Sequence, residues 1–135
     1  MHASGPTLPV SIVIPAKNEA DNIRPLVEEI RSAMTGRFDY ELIYVDDGST
    51  DATFATLEAL RHEGFTALKV IRHARSVGQS IAIISGAWQA SGEWLVVLDA
   101  DGQNDPADIP GMVDAVIAAH RKDPQVWGII GHRVN

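Results

Sequence analysis

Two acidic clusters, each directly behind an apolar run, carry the clearest chemistry in this chain. Leu42-Ile43-Tyr44-Val45 ends in Asp46-Asp47, and Trp94-Leu95-Val96-Val97-Leu98 ends in Asp99-Ala100-Asp101. Carboxylates two residues apart can turn their oxygens toward one hard cation where the chain bends after a strand. Mg2+ and Mn2+ favour such oxygen ligands and keep places for water and phosphate. Gln103 adds an amide oxygen nearby. Asp-x-Asp alone is frequent by chance and also suits loop capping, so its weight comes from its place behind a strand. The neighbouring carboxylates Asp46 and Asp47 repel unless a donor or cation sits between them. Asp-Gly-Ser-Thr-Asp is equally the composition of a strand-to-helix turn with a capping residue.

Short runs of Val, Ile and Leu without polar alternation read as strands buried on both faces of a parallel sheet, whose ligand crevice lies at the carboxyl ends. The two acidic clusters then share one rim. Pro15-Ala16-Lys17-Asn18-Glu19 follows Val10-Ser11-Ile12-Val13-Ile14 and brings a third strand tip to it. Asn18 and Glu19 serve a helix start as well as they serve a ligand, because both suit the positive end of the helix dipole.

Strand-like runs alternate with helical patterns from Val10–Ile14 to Val126–Ile130, the signature of β-α-β units. The first helix puts Ile23, Leu26, Val27, Ile30 and Met34 on one stripe, with Asn18 or Asn22 as cap and Pro25 in its opening turn. A second follows Ser49-Thr50-Asp51 and carries Phe54, Leu57 and Leu60, and Leu68–Ile71 returns as a strand. A third, after Gly78, is expected to bury Ile81, Ile84 and Trp88 and to stop at Ser91-Gly92 with glycine left-handed. The fourth shows Ile109, Met112, Val113, Val116 and Ile117, entered through Asp105-Pro106 and Pro110.

The 135 residues fit one α/β domain able to bury about two-thirds of its unfolded surface. Eleven basic against eighteen acidic residues give a net charge of −7 without any basic run, which argues against a nucleic-acid partner. An acidic protein binding an anionic nucleotide faces about 1 kcal/mol of repulsion per close charge pair even in water, and a divalent cation relieves it. No cysteine is present for disulfides or thiolate metal sites. The first nine residues do not read as a signal peptide and no stretch has membrane-spanning length, so a cytoplasmic location is expected. His2, His62, His73, His120 and His132 show no metal-ligand spacing and read as surface or loop-start residues, while Trp88, Trp94 and Trp127 read as packing residues.

Taken together, Pro15 to Glu19, Asp46 to Asp51 and Asp99 to Gln103 resemble the family 2 glycosyltransferases of the GT-A fold. The resemblance extends through Gly78-Gln79, Ala90-Ser91-Gly92-Glu93 and Asp105 to Pro110, so it covers nearly the whole chain. Within that family the likeness is greatest to the dolichyl-phosphate and polyprenyl-phosphate sugar transferases. It implies a Rossmann-like, mostly parallel sheet flanked by helices and a nucleoside diphosphate sugar, GDP- or UDP-linked, across the carboxyl rim. Base and ribose would lie near Pro15, Ala16, Asn18, Glu19, Asp46 and Asp47, with Gly78 and Ala100 at the donor. Asp99, Asp101 and Gln103 would hold Mg2+ or Mn2+ and the diphosphate, and the acceptor would be a polyprenyl phosphate at the membrane surface or another group. The resemblance leaves the catalytic base unassigned.

Two departures follow from the same comparison. Many members carry Asn where this chain has Ser76, and full domains of the family continue well beyond residue 135, so residues 1–135 read as a donor-binding part lacking the acceptor part. Arg133 falls in a Gly-x-Arg segment that could meet a phosphate or simply end a strand in solvent. The strand over 94–98 is expected to be an open edge that either residues 126–134 fill or a second chain pairs with. A noncatalytic nucleotide-sugar binding or assembly module is the alternative function. A phospho-accepting receiver fails because its central position holds His73 rather than Asp, and a dinucleotide oxidoreductase fails for want of Gly-x-Gly-x-x-Gly.

Overall fold

Four parallel strands make one sheet in the order β3-β2-β1-β4, with β1 at Val10–Ala16, β2 at Tyr40–Asp47, β3 at Leu68–His73 and β4 at Trp94–Val97. The computed structural model describes residues 8–102 and 104–126. The expected strand from Val126 to Ile130, the ligand Gln103, Trp127 and Arg133 therefore lie, apart from Val126 itself, outside the described residues.

The two central strands behave as apolar runs should. Every residue of β1 is buried, and so is β2 from Glu41 onward. Their even-numbered side chains, Ile12, Ile14, Leu42 and Tyr44, enter the larger core with Ile23, Leu26, Val27, Ile30 and Met34 of α1 (Ala20–Met34). Leu57 and Leu60 of α2 (Thr53–His62) join it, as do Ile109 and Val113 of α4 (Ile109–Lys122), which is preceded by a 3-10 turn at Pro106–Asp108. The 3.6-residue stripes of α1 and α4 thus point where the sequence places them. Pro25 lies deeper than the opening turn. The carbonyl its missing N–H leaves without a partner is that of Asp21, an exposed residue that water can reach. Neither asparagine caps α1 with its side chain: the N-cap is Glu19, and Asn22 lies within the helix.

Among the described residues the opposite face is covered by one helix, α3 (Gln79–Trp88), and here the expectation is corrected. Ala82 and Gly86 face the sheet, whereas Ile81, Ile84 and Trp88 are 48%, 51% and 82% exposed. A Cβ on Gly86 would stand 2.4 Å from a Val13 methyl, so the small residues let helix and sheet approach closely and turn the bulky ones outward. The same helix leaves Leu95 and Val97 of β4 largely uncovered, so β4 is half-buried rather than buried on both sides. β4 is also a sheet edge among the described residues, as expected. Gly92 does not close α3 in a left-handed turn, because the helix ends at Trp88. Its lack of a side chain instead admits β1: a Cβ there would lie 2.5 Å from the Ser11 amide nitrogen.

At the amino end of the sheet, the buried Glu41 carboxylate accepts hydrogen bonds from the Ser11 hydroxyl, the Ser91 amide and the Lys69 ammonium. Burial opposes its charge, but those donors outweigh burial and hold the carboxyl below its usual range. Glu41→Ala strands the Ser11 and Ser91 donors, and chemical denaturation should show a loss of about 2–3 kcal/mol. Unchanged stability would mean that water replaces the carboxylate freely.

Candidate functional site

The order β3-β2-β1-β4 places a switch between β1 and β4: the chain steps outward from β1 through β2 to β3, then crosses back to β1's other side. In open α/β sheets the ligand crevice opens outside the carboxyl ends of the strands at such a point. A cavity of about 390 Å³ lies there, lined by Pro15, Ala16, Lys17, Glu19, Gln79, Asp99, Ala100 and Asp101. The tips of β1 and β4 and the first residue of α3 therefore meet in one concavity.

The rim is built by loops that interlock. Asn18 takes a left-handed backbone (φ 54°), and its side-chain oxygen accepts from the Thr50 and Asp51 amides at 2.8 and 3.3 Å. Its own amide donates to the Ser49 hydroxyl, while the Glu19 amide donates to the Thr53 hydroxyl. The Asp51 carboxylate accepts from the Thr53 amide and from the Ala20 amide, which ties the start of α2 to the start of α1. Asn18 therefore braces two loops behind the cavity, and Glu19, its carboxylate held by the Asn22 amide at 2.6 Å, faces it. At the β4 tip, the Asn104 side chain accepts from the Asp99 amide and closes the acidic loop on itself.

The pair Asp46-Asp47 divides. Asp46 is fully buried beside Ala16; one oxygen accepts from the Ser49 amide, and the other has no hydrogen-bond partner. The Tyr44 hydroxyl, two residues earlier on the same face, is likewise buried without a partner, and burial together with the Glu19 charge raises its pKa. Asp47 points to the other face and is saturated. One oxygen accepts from His73 Nδ1–H at 2.8 Å and from the Val77 amide at 2.9 Å, the other from the Ser76 hydroxyl and the Gly78 amide at 3.0 Å.

Burial opposes ionisation of Asp47, but these four donors dominate and hold its pKa at about 2, against 3.8 for an ordinary aspartate. A carboxyl whose pKa is lower in the folded than in the unfolded chain stabilises the fold above its unfolded value and loses that contribution as pH falls through the folded one. Asp47 should thus supply about 1–2 kcal/mol that disappears between pH 4 and pH 2. Denaturation across that window should show a smaller acid loss for Asp47→Asn, and parallel curves would contradict the prediction.

Six of the sequence-derived site residues, Pro15, Ala16, Glu19, Asp99, Ala100 and Asp101, line the cavity. Asn18, Asp46, Asp47 and Gly78 are not among its lining residues. Among the described residues no three His, Asp or Glu side chains converge on a preformed metal site. Two carboxylates facing a cavity, with room for phosphate and water oxygens, still suit a hard six-coordinate cation. Two residues carry more than their types announce. His73, read as a surface or loop-start residue, ends β3 with its side chain largely buried and Nε2 accepting from the Ser85 hydroxyl at 2.8 Å. Gln79, read as a helix start, directs its amide at Asp99.

Known proteins resemble this chain in sequence and in fold. The chain is 41% identical over 108 residues to the dodecaprenyl-phosphate galacturonate synthase of Rhizobium johnstonii, covering 79% of this chain and 32% of that protein. It is 39% identical over 107 residues to the dolichol-phosphate mannosyltransferase of Pyrococcus furiosus, covering 79% and 30%. The chain thus spans about a third of the length of these curated relatives. Among solved structures, a mannosyltransferase of Pyrobaculum calidifontis in complex with GDP-Man and Mn2+ superposes with a TM-score of 0.64 at 26% identity, over 70% of this chain and 28% of that one. S. aureus TarS in complex with UDP-GlcNAc superposes at 0.69 with 25% identity, over 84% and 32%. The glycosyl transferase family 2 model matches residues 11–128, which include β2, β3, β4, all of β1 but Val10, and the whole switch-point cavity; the chain belongs to that family.

Proposed function

We propose that this domain binds a nucleoside diphosphate sugar, GDP- or UDP-linked, together with Mg2+ or Mn2+, and serves sugar transfer to a polyprenyl phosphate or another acceptor. The observation that carries the reading is the meeting of Asp99, Asp101, Glu19 and the β1 tip in one cavity at the sheet's switch point. Base and ribose lie along Pro15, Ala16 and Glu19. Asp99 and Asp101 hold the cation, which when bound offsets charge on the departing diphosphate. Lys17 adds a positive charge at the same wall.

Calorimetric titration of UDP and GDP, each with and without Mn2+, tests the reading. At least one should bind, and only tightly with the cation; metal-indifferent binding of both would overturn it. The alternative, a noncatalytic nucleotide-sugar binding or assembly module, predicts retained donor affinity without transfer. The edge of β4, open among the described residues, fits pairing with a second copy or with residues 126–134. Sedimentation at micromolar concentration should show dimer in the first case, and monomer alone with unprotected β4 amides would exclude both. No helix among the described residues is long and apolar enough to cross a membrane. Contact with a lipid acceptor is proposed as peripheral, from the cytoplasmic side.

A further inference from the structure

The hydrogen bonds between β4 and β1 run out at Leu98, whose amide donates to the Val13 carbonyl at 3.0 Å. Successive amides along a strand point to opposite sides, so the Asp99 amide turns away from β1, toward the edge where no strand stands among the described residues. Its partner comes from the same loop: Asn104 Oδ1 accepts it at 3.0 Å. Between the two, Gly102 takes a left-handed backbone (φ 79°) that reverses the chain, and Asp101, just before it, lines the cavity with Asp99.

Asn104 is fixed from behind. The next residue, Asp105, caps the 3-10 turn Pro106–Asp108 by accepting the Ala107 amide at 3.0 Å, and that turn packs on α1 with Pro106 buried. The closing bond therefore joins Asp99, at the tip of an edge strand, to a stretch of chain anchored on the core. Asn104 itself is not among the residues lining the cavity.

We propose that Asn104 is a positioning residue for the cation and diphosphate end of the site: by holding the Asp99 amide it sets the bend that turns the Asp99 and Asp101 carboxylates toward one ion. Two carboxylates two residues apart converge on a single cation over a narrow range of backbone bends. A loop left unclosed samples many others, and apparent affinity falls with the fraction of chains in the competent one. Alanine at this position removes the acceptor, whereas aspartate keeps an oxygen at the same reach. This rests on the reading of Asp99 and Asp101 as cation ligands.

The test uses the whole chain. With Mn2+ present, Asn104→Ala should lower UDP or GDP affinity about tenfold, the loss expected of a group supporting a metal ligand, while affinity without the cation stays at the native value. Asn104→Asp should keep at least the native affinity. In the unliganded protein, hydrogen exchange at the Asp99 amide should quicken in Asn104→Ala and not in Asn104→Asp. Equal losses with and without the cation, no loss in Asn104→Ala, or a loss in Asn104→Asp as large as in Asn104→Ala would each overturn the proposal. Should Asn104→Ala not fold, Asn104→Gln, which moves the oxygen outward by one methylene, decides by the same comparison. If the native chain binds neither nucleotide with Mn2+, the functional reading falls and this proposal with it; if the native chain binds and the variants match it, the proposal alone falls.

Discussion

Asp101→Asn should lower Mn2+-supported affinity for UDP or GDP on the order of a hundredfold while leaving cation-free binding nearly as it was. The substitution keeps the volume and removes the charge from one of the three carboxylates on the cavity wall, Glu19, Asp99 and Asp101. Loss of a group merely supporting a metal ligand costs about 10- to 100-fold in metal affinity, and loss of a charged ligand belongs at the upper end. Asp101 is exposed, and a denaturation curve beside the titrations separates a loss of cation binding from a loss of fold. Paired titrations with and without the cation measure the difference. A loss of equal size in both would show that Asp101 meets the donor by some other route.

Gly48→Ala should destabilise the fold by about 3 kcal/mol or more and empty the site with it. Gly48 has φ 70°, where a side chain is strained, and a Cβ there would lie 2.3 Å from the Ser76 amide nitrogen and 2.5 Å from the Arg75 carbonyl carbon. Those atoms are backbone, so no rotamer change relieves the clash. They also belong to the loop that Asp47 organises, and displacing it moves Gln79 away from Asp99. Thermal or urea denaturation reads the first effect and nucleotide titration the second. A variant of native stability would show that the loop yields more easily than its packing implies.

Much of the architecture is legible in the residues. Val10 to Ile14 and Leu42 to Val45 are too uniformly apolar to tolerate water on either side, and they became the buried centre of the sheet. The stripes Ile23, Leu26, Val27, Ile30, Met34 and Ile109, Val113, Val116 have polar residues opposite them, so each helix had one face to bury. Carboxylates placed directly after such strands can only emerge at the carboxyl rim, which is why Asp99 and Asp101 were found where their spacing put them.

The third helix shows where that logic stops. Gln79–Trp88 carries no charge and is apolar on both sides, so periodicity offers two faces and no means of choosing. Close approach to Val13 and Val45 chose the Ala82 and Gly86 side, a criterion of shape rather than hydrophobicity. Asp46 and Asp47 pose the same problem in polar form. Adjacent strand residues point to opposite faces, but which donors await them depends on loops distant in sequence, 26 to 31 residues away for Asp47. The sequence by itself determined the alternation of elements, the stripes that bury α1 and α4, and the rim on which the acids emerge, because those follow from local period and apolarity. Only the tertiary structure decided the orientation of α3, the half-open face of β4 and the partners of Asp47, because each depends on contacts between segments that local pattern does not encode.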